Sequence, residues 1–502
     1  GDAALYTNQT GANNIAVGVN ALYTNTASQN AAVGTSALAA NTTGSENVAV
    51  GHVSLDANTS GNCNIGIGRG SLGSNTTANN NIAIGDIALV ANTTGTQNVA
   101  IGVQALDANT TADNNTAIGH VALTANTTGT ANVAVGSQAL DANTTGSNNV
   151  SVGRSALGSN TTGATNSAFG GNALNANTTG NFNTASGYQA LASNTTASSN
   201  VAMGYNSLVN NTTGASNTAV GVNSLEANTT GSSNTAVGLQ ALDTNTTASE
   251  NTALGFQAML SNTTGTRNTA LGFRTMCLNT TGGANVAIGQ QALRANTTGD
   301  NNIGIGRDAL TANTTADNNT AVGFCSLTAN TTGTGNNAFG VLSLDANTEG
   351  DYNVAIGDSS LGAQTTASNN TAVGSASANS VTTGSCNVIL GLEAGCDLTE
   401  GGRNVVIGPK ATDQLTTGNN NVTIGDLKDL SKIFNITTED NRFIAGHNNI
   451  SNAYVKVAWT VTSDERDKMN FEEVPHGLDF VDKLQPYKFN YKKSREDPTP
   501  NG

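Results

Sequence analysis

Few residues in this chain could carry chemistry, and their spacing limits what they could do. The four histidines are His52, His120, His447 and His476. His52 and His120 each follow the last Gly of the same short motif, four repeats apart. That is too far for one metal site and fits solvent-facing side chains. The cysteines, Cys63, Cys277, Cys325, Cys386 and Cys396, are scattered and odd in number. They read as buried free thiols rather than a disulfide framework or a metal cluster. Gly66 to Gly73 reads GIGRGSLG, which mimics a nucleotide loop, but no helix pattern follows it and Gly is everywhere. No paired carboxylates and no Ser/His/Asp constellation stand out. The sequence points to no cofactor, no metal and no turnover enzyme.

Two further strings invite a chemical reading. Asn-Thr-Thr recurs along most of the chain and is an acceptor sequon for N-glycosylation. Stacked turns, with amides and hydroxyls bonding from one repeat to the next, are the favoured reading over a glycan coat. The adjacent Thr cannot both face one way, which argues against a flat Thr array for ice binding. The second string is Ser463-Asp464-Glu465-Arg466-Asp467-Lys468. Taken alone, it reads as a charged turn with an N-capping Ser-Asp.

These residues are carried by an unusual chain. It has 502 residues with 11% charged, 4% aromatic and 58 Gly. A compact globule would carry about 25% charged residues, so one thick core is not expected. Disorder is opposed by the strict recurrence of Ala, Val, Ile and Leu. The formal net charge of −15 argues against nucleic acid as a partner. No apolar run reaches the ~18 residues of a spanning helix, so no membrane insertion is expected. The first Pro is Pro409 and the first Lys is Lys410, so the last fifth differs physically from the rest.

The motif N-x-A-[VI]-G organises everything before that point. Its Gly falls at Gly18, Gly34, Gly51, Gly68 and onward to Gly425, giving 25 copies at 17-residue intervals after a first interval of 16. Within NVAVG, Val48 and Val50 share one face and Ala49 takes the other, as strand geometry requires. A Leu follows four residues after most of the Gly, as at Leu38, Leu55 and Leu72. A coil of 17 residues is shorter than the about 20–29 of a strand-plus-helix repeat. The fold class is therefore all-β: a parallel β-solenoid of 17-residue rungs, each built as strand, turn, short second strand and turn. At about 4.8 Å per rung the stack would extend roughly 115 Å. Because Ala112 and Ala248 replace the Gly of Asn-Thr-Thr-Gly, a positive φ is not expected at that Gly.

The Ala face is small throughout, with Gly66, Ser151 and Gly304 as the variants. Another backbone must lie close against it. It could be the opposite wall of the same narrow solenoid, or three chains meeting around a common axis. The second is favoured, because one thin coil buries little apolar surface. The pattern loosens near Gly374, where the Leu position becomes Ala378, Gly395 and Thr412.

N-x-A-[VI]-G resembles the head repeats of trimeric autotransporter adhesins. The whole unit, A-L-x-x-N-T-T-G-x-x-N-T-A-V-G, resembles repeats of phage tail fibres and related bacterial surface proteins. The S-D-x-R-x-K string, followed by LDFVDKLQPYKFNYKK from Leu478 to Lys493, resembles the opening of the intramolecular chaperone domain of endosialidase-type tailspikes and tail fibres. That resemblance implies a single-turnover self-cleavage at the Thr462–Ser463 bond, with Ser463 as nucleophile and Lys468 as base. A Lys can serve that role if burial lowers its pKa. Only 40 residues run from Ser463 onward, fewer than the family domain has.

The expected organisation is a solenoid shaft over 1–425, a β-rich connector over 426–462 and the start of a chaperone domain over 463–502. The expected function is a homotrimeric phage tail fibre that supports attachment to a host cell-surface glycan or protein receptor, located in the virion. A bacterial trimeric adhesin or extracellular fibril at the cell surface is the alternative.

Overall fold

The computed structural model describes residues 1–412, 414–426 and 437–446. All of them belong to one unit, Gly1–Asn448. It is a single-chain parallel β-solenoid. Each rung contributes one three-residue strand, from β1 (Ile15–Val17), β2 (Ala31–Val33) and β3 (Val48–Val50) to β25 (Val422–Ile424) and β26 (Phe443–Ala445). Every strand pairs in parallel with the next, residue on equivalent residue, as in Val48↔Ile65 and Ala49↔Gly66. The last pairing, Val422↔Phe443, spans 21 residues instead of 17 and carries the ladder past residue 425.

The expected second strand is absent among the described residues. Two positions after the motif Gly the backbone turns left-handed, and it does so again at the Leu: Ser36 has φ 57° and Leu38 has φ 51°. This alternation curls the chain into consecutive turns while still bonding each rung to the next, as from Leu38 N–H to the Ser54 carbonyl at 3.0 Å. A left-handed non-Gly residue costs about 1–2 kcal/mol. Full burial of a Leu side chain returns about 1.5–3 kcal/mol, so the conformation is sustained rung after rung. The Leu are fully buried, and Met259 and Met276 fill the same place.

Those Leu explain the small Ala face. Ala49, Ala100 and Ala236 are completely buried within the one chain. A methyl group placed on Gly66 would lie 3.3 Å from Leu55 Cδ1 and 2.6 Å from Ser54 Oγ. The wall pressing on Ala is the turn of the same solenoid. The expectation that Ala faces a three-chain axis is therefore overturned, because no room remains beside it for another chain.

Two columns of buried Asn complete the interior. Asn58 of the Asn-Thr-Ser turn donates to Asn41 Oδ1 at 2.8 Å. The Asn ahead of the strand forms the second column: the Asn64 backbone N–H donates to Asn47 Oδ1 at 2.9 Å, and Asn64 Nδ2 donates to the Ala78 carbonyl at 2.8 Å. Buried amides are tolerated because nearly every polar atom has a partner. The motif Gly sits at φ values such as 141° at Gly51, a region closed to other residues, and its backbone abuts the Gly of the next rung. As expected, the Gly of Asn-Thr-Thr-Gly is not in the positive-φ region.

Candidate assembly face and the C-terminal segment

A strand has two faces, and only Ala goes inward. The residues on either side of it, Val48 and Val50 for example, point out of the solenoid and stay partly exposed. The same orientation holds along the stack: the last strand position forms an apolar column broken at Ser186, while the first is mostly Val or Ile up to Val150 and largely Thr from Thr184 to Thr371. None of the 26 strands among the described residues contains a charged residue.

The position directly after the motif Gly adds a second column beside the first. From Thr35 to Gly171 it is mostly polar, with His52, Arg69, Asp86 and Arg154. From Tyr188 to Val341 it turns mostly apolar, broken by Gln290 and Arg307. Tyr188 and Tyr205 stack at 5.9 Å with planes 13° apart, and Phe256 and Phe273 at 5.3 Å and 12°. Arg307 lies over the Phe324 ring at 4.3 Å. Leu239 and Leu254, from neighbouring columns, are 44% and 46% exposed. Bulky apolar side chains in this second column widen the exposed apolar face on that side in the second half of the stack, while the first strand position there is largely Thr.

The residues singled out for chemistry are placed as follows. His52 and His120 are exposed, as expected, and His447 and His476 lie outside the described residues. Cys277 is buried, but Cys63 and Cys386 are exposed, which corrects the expectation of uniformly buried thiols. Their positions lie on turns that face outward. Cys63 donates to Glu46 Oε2 at 3.3 Å, and that contact pushes its thiol pKa up, the opposite of an activated nucleophile. The GIGRGSLG segment is the strand Ile65–Ile67 followed by turns, with no helix. No cluster of His, Cys, Asp and Glu suited to a metal ion occurs among the described residues. No helix among them is long and apolar enough to cross a membrane.

The Asn of the Asn-Thr-Thr sequons are buried, Asn92, Asn228 and Asn313 among them. Each commits its Nδ2 to hydrogen bonds; that of Asn92 reaches Asn75 Oδ1 at 3.0 Å and the Gly95 carbonyl at 2.9 Å. A glycan on that nitrogen has no space in the folded solenoid. The stacked-turn reading is the one the structure supports. The outer column beyond the Leu carries acids, and burial pushes the carboxyls of Asp56, Asp141 and Asp345 up from their ordinary value. In the same column, burial and then the neighbouring Glu226 push Asp243 up to about 6.

Sequence reasoning missed the Asn column ahead of the strand. Its signal was available in the near-invariant Asn of the motif, which a solvated strand edge would not need. It also missed the outer stripe, which the alternation of Val and Ala implies once Ala is known to face inward.

Fold and interior together define a β-solenoid repeat protein. Residues 463–501 match the family model described as chaperone of endosialidase. No curated protein matches the chain. Thr462, Ser463 and Lys468 lie outside the described residues.

Proposed function

We propose that this chain is a structural fibre protein: a homotrimeric tail-fibre shaft of a phage, which carries a receptor-binding element toward a host cell-surface glycan or protein. The observation that carries the reading is the succession of a long, regular solenoid and a chaperone-of-endosialidase segment in one chain. A thin parallel stack folds through many identical rungs, so register errors between chains are a hazard. A chaperone segment at the end of the shaft answers that hazard. In this reading it aligns the chains and then leaves by one cleavage at Thr462–Ser463: Ser463 Oγ, giving its proton to Lys468, attacks the Thr462 carbonyl, the Ser463 amide nitrogen leaves and takes up a proton, and water hydrolyses the resulting ester.

The test is gel analysis of the full-length gene product beside a Ser463→Ala variant. The wild type should run as a shorter shaft plus a released C-terminal piece, and the variant as one uncut chain. Equal sizes for both would remove the self-processing part of the proposal. Purified shaft with the mass of a single chain in light scattering would remove the homotrimer.

A further inference from the structure

We propose that the outer strand face, and above all its widened part from Phe169 to Val341, is the surface on which copies of this chain associate. The inference rests on the homo-oligomeric fibre just proposed and assigns its interface.

The interior of the solenoid is already full, so association has to use an outside face. Among the described residues, none of the 26 strands carries a charge on this face, and charge depletion marks the core of protein interfaces. Its column at the last strand position is apolar in every described strand except at Ser186. Even ~50 Å² per rung summed over the stack amounts to on the order of 1,200 Å² per chain, above the ~800 Å² per partner of a standard stable interface.

The occupant follows from the repeat. Every rung presents its outward residues at the same axial step, so a partner can match all of them only if it has that step too. A second copy of this chain does. Axial register also sets the widened segment of one copy against the widened segment of the next, and the polar column from Thr35 to Gly171 against itself. A polysaccharide is a poorer fit. The rings of Tyr188 and Tyr205, and of Phe256 and Phe273, stack face to face along the fibre, so they turn edges outward. A sugar ring packs on an aromatic face, whereas edges fit between side chains of another protein surface.

The experiment combines Leu239→Asp with Leu254→Asp in the full chain. Both side chains are outside the core, so far-UV circular dichroism should stay that of the wild type. Light scattering should show the assembly falling to the mass of a single chain, 50.3 kDa before cleavage. A Thr230→Asp control, on the exposed Asn-Thr-Thr turn, should keep the wild-type mass. An unchanged mass for the double variant overturns the assigned face while leaving the oligomeric fibre standing. A wild type that is itself monomeric overturns both. If the double variant does not fold, a second readout remains. In a background with all native cysteines changed to Ser, a short bismaleimide should join chains through Leu254→Cys and not through Thr230→Cys. The reverse pattern would refute the assignment.

Discussion

Asn228 donates its side-chain amide to Asn211 Oδ1 at 2.8 Å and to the Gly231 carbonyl at 3.0 Å, while its own Oδ1 accepts from Asn245 at 2.9 Å. One residue thus satisfies three buried groups and links three rungs. Asn228→Ala would strand the Asn211 oxygen away from water, while the Gly231 carbonyl would keep the Asn217 amide at 2.8 Å. Leaving a buried polar group unpaired costs about 1–3 kcal/mol, so a loss of about that size is expected. A solenoid is stabilised largely between neighbours, so the loss should be local. Hydrogen exchange should accelerate around residues 211–245 and stay unchanged near Asn58 and Asn347. Uniform acceleration along the whole stack would contradict this.

The two Gly of each rung should respond differently to Ala. Gly221 has φ 140°, and a methyl there would run into the Gly238 carbonyl of the next rung. Gly221→Ala should cost several kcal/mol, since the strained backbone alone accounts for about 1–3 kcal/mol. A methyl on Gly231 would also crowd the next rung's carbonyl, but Gly231 lies outside the positive-φ region, and Ala248 already occupies the equivalent place one rung on. Gly231→Ala should therefore shift the thermal midpoint much less. Equal shifts for the two would show that the positive φ of the motif Gly is not what excludes a side chain.

The repeat length, the strand and the inward Ala were legible because period-2 alternation and a constant phase leave little choice. What opposed Ala was not. Alternation says that Val48 and Val50 share a side and Ala49 has the other, but it does not say which chain supplies the facing wall. The left-handed Leu55 decided that, and a β-favourable sequence gives no direct sign that a Leu will adopt φ 52°. The same curl removed the expected second strand. Asn47 and Asn64 were hard to read for another reason: a polar residue at a strand end suggests solvent, and only the stacked geometry shows each one bonded to its neighbour. For the C-terminal segment, the family match agrees with the resemblance read from Ser463 onward, and the roles of Ser463 and Lys468 rest on that resemblance.

Leu225 tests the packing account directly. It is fully buried in the continuous Ala and Leu core. Leu225→Ala removes most of the wall over the strand Ala and should cost about 2–5 kcal/mol, as large-to-small changes in closed cores do. Leu225→Met should cost less than ~1.5 kcal/mol, because volume is nearly conserved and Met259 and Met276 already serve in that column. Denaturant midpoints for the two variants check the order. If Ala were as well tolerated as Met, the inward Leu would not be what holds the rung closed.

Asp243 gives the stack a pH response whose sign is fixed by its surroundings. Burial, and then the carboxylate of Glu226 one rung earlier, push its pKa up to about 6, above that of the unfolded chain. An acid with a raised folded pKa holds its proton better in the folded state. Between the unfolded value near 4 and the folded value near 6, folding therefore takes up a proton, and stability contributed by this site falls as pH rises through that window. Above about 6 the ionised Asp243 is a standing penalty, moderated by its partial exposure to solvent. Asp243→Asn removes the charge and keeps the shape. The variant should be more stable than the wild type at pH 7 and little different at pH 4, with a flatter stability profile between them. Thermal midpoints measured across pH 4–8 would decide it, and a variant that loses stability at pH 7 would show that the ionised carboxylate is favourable where it stands.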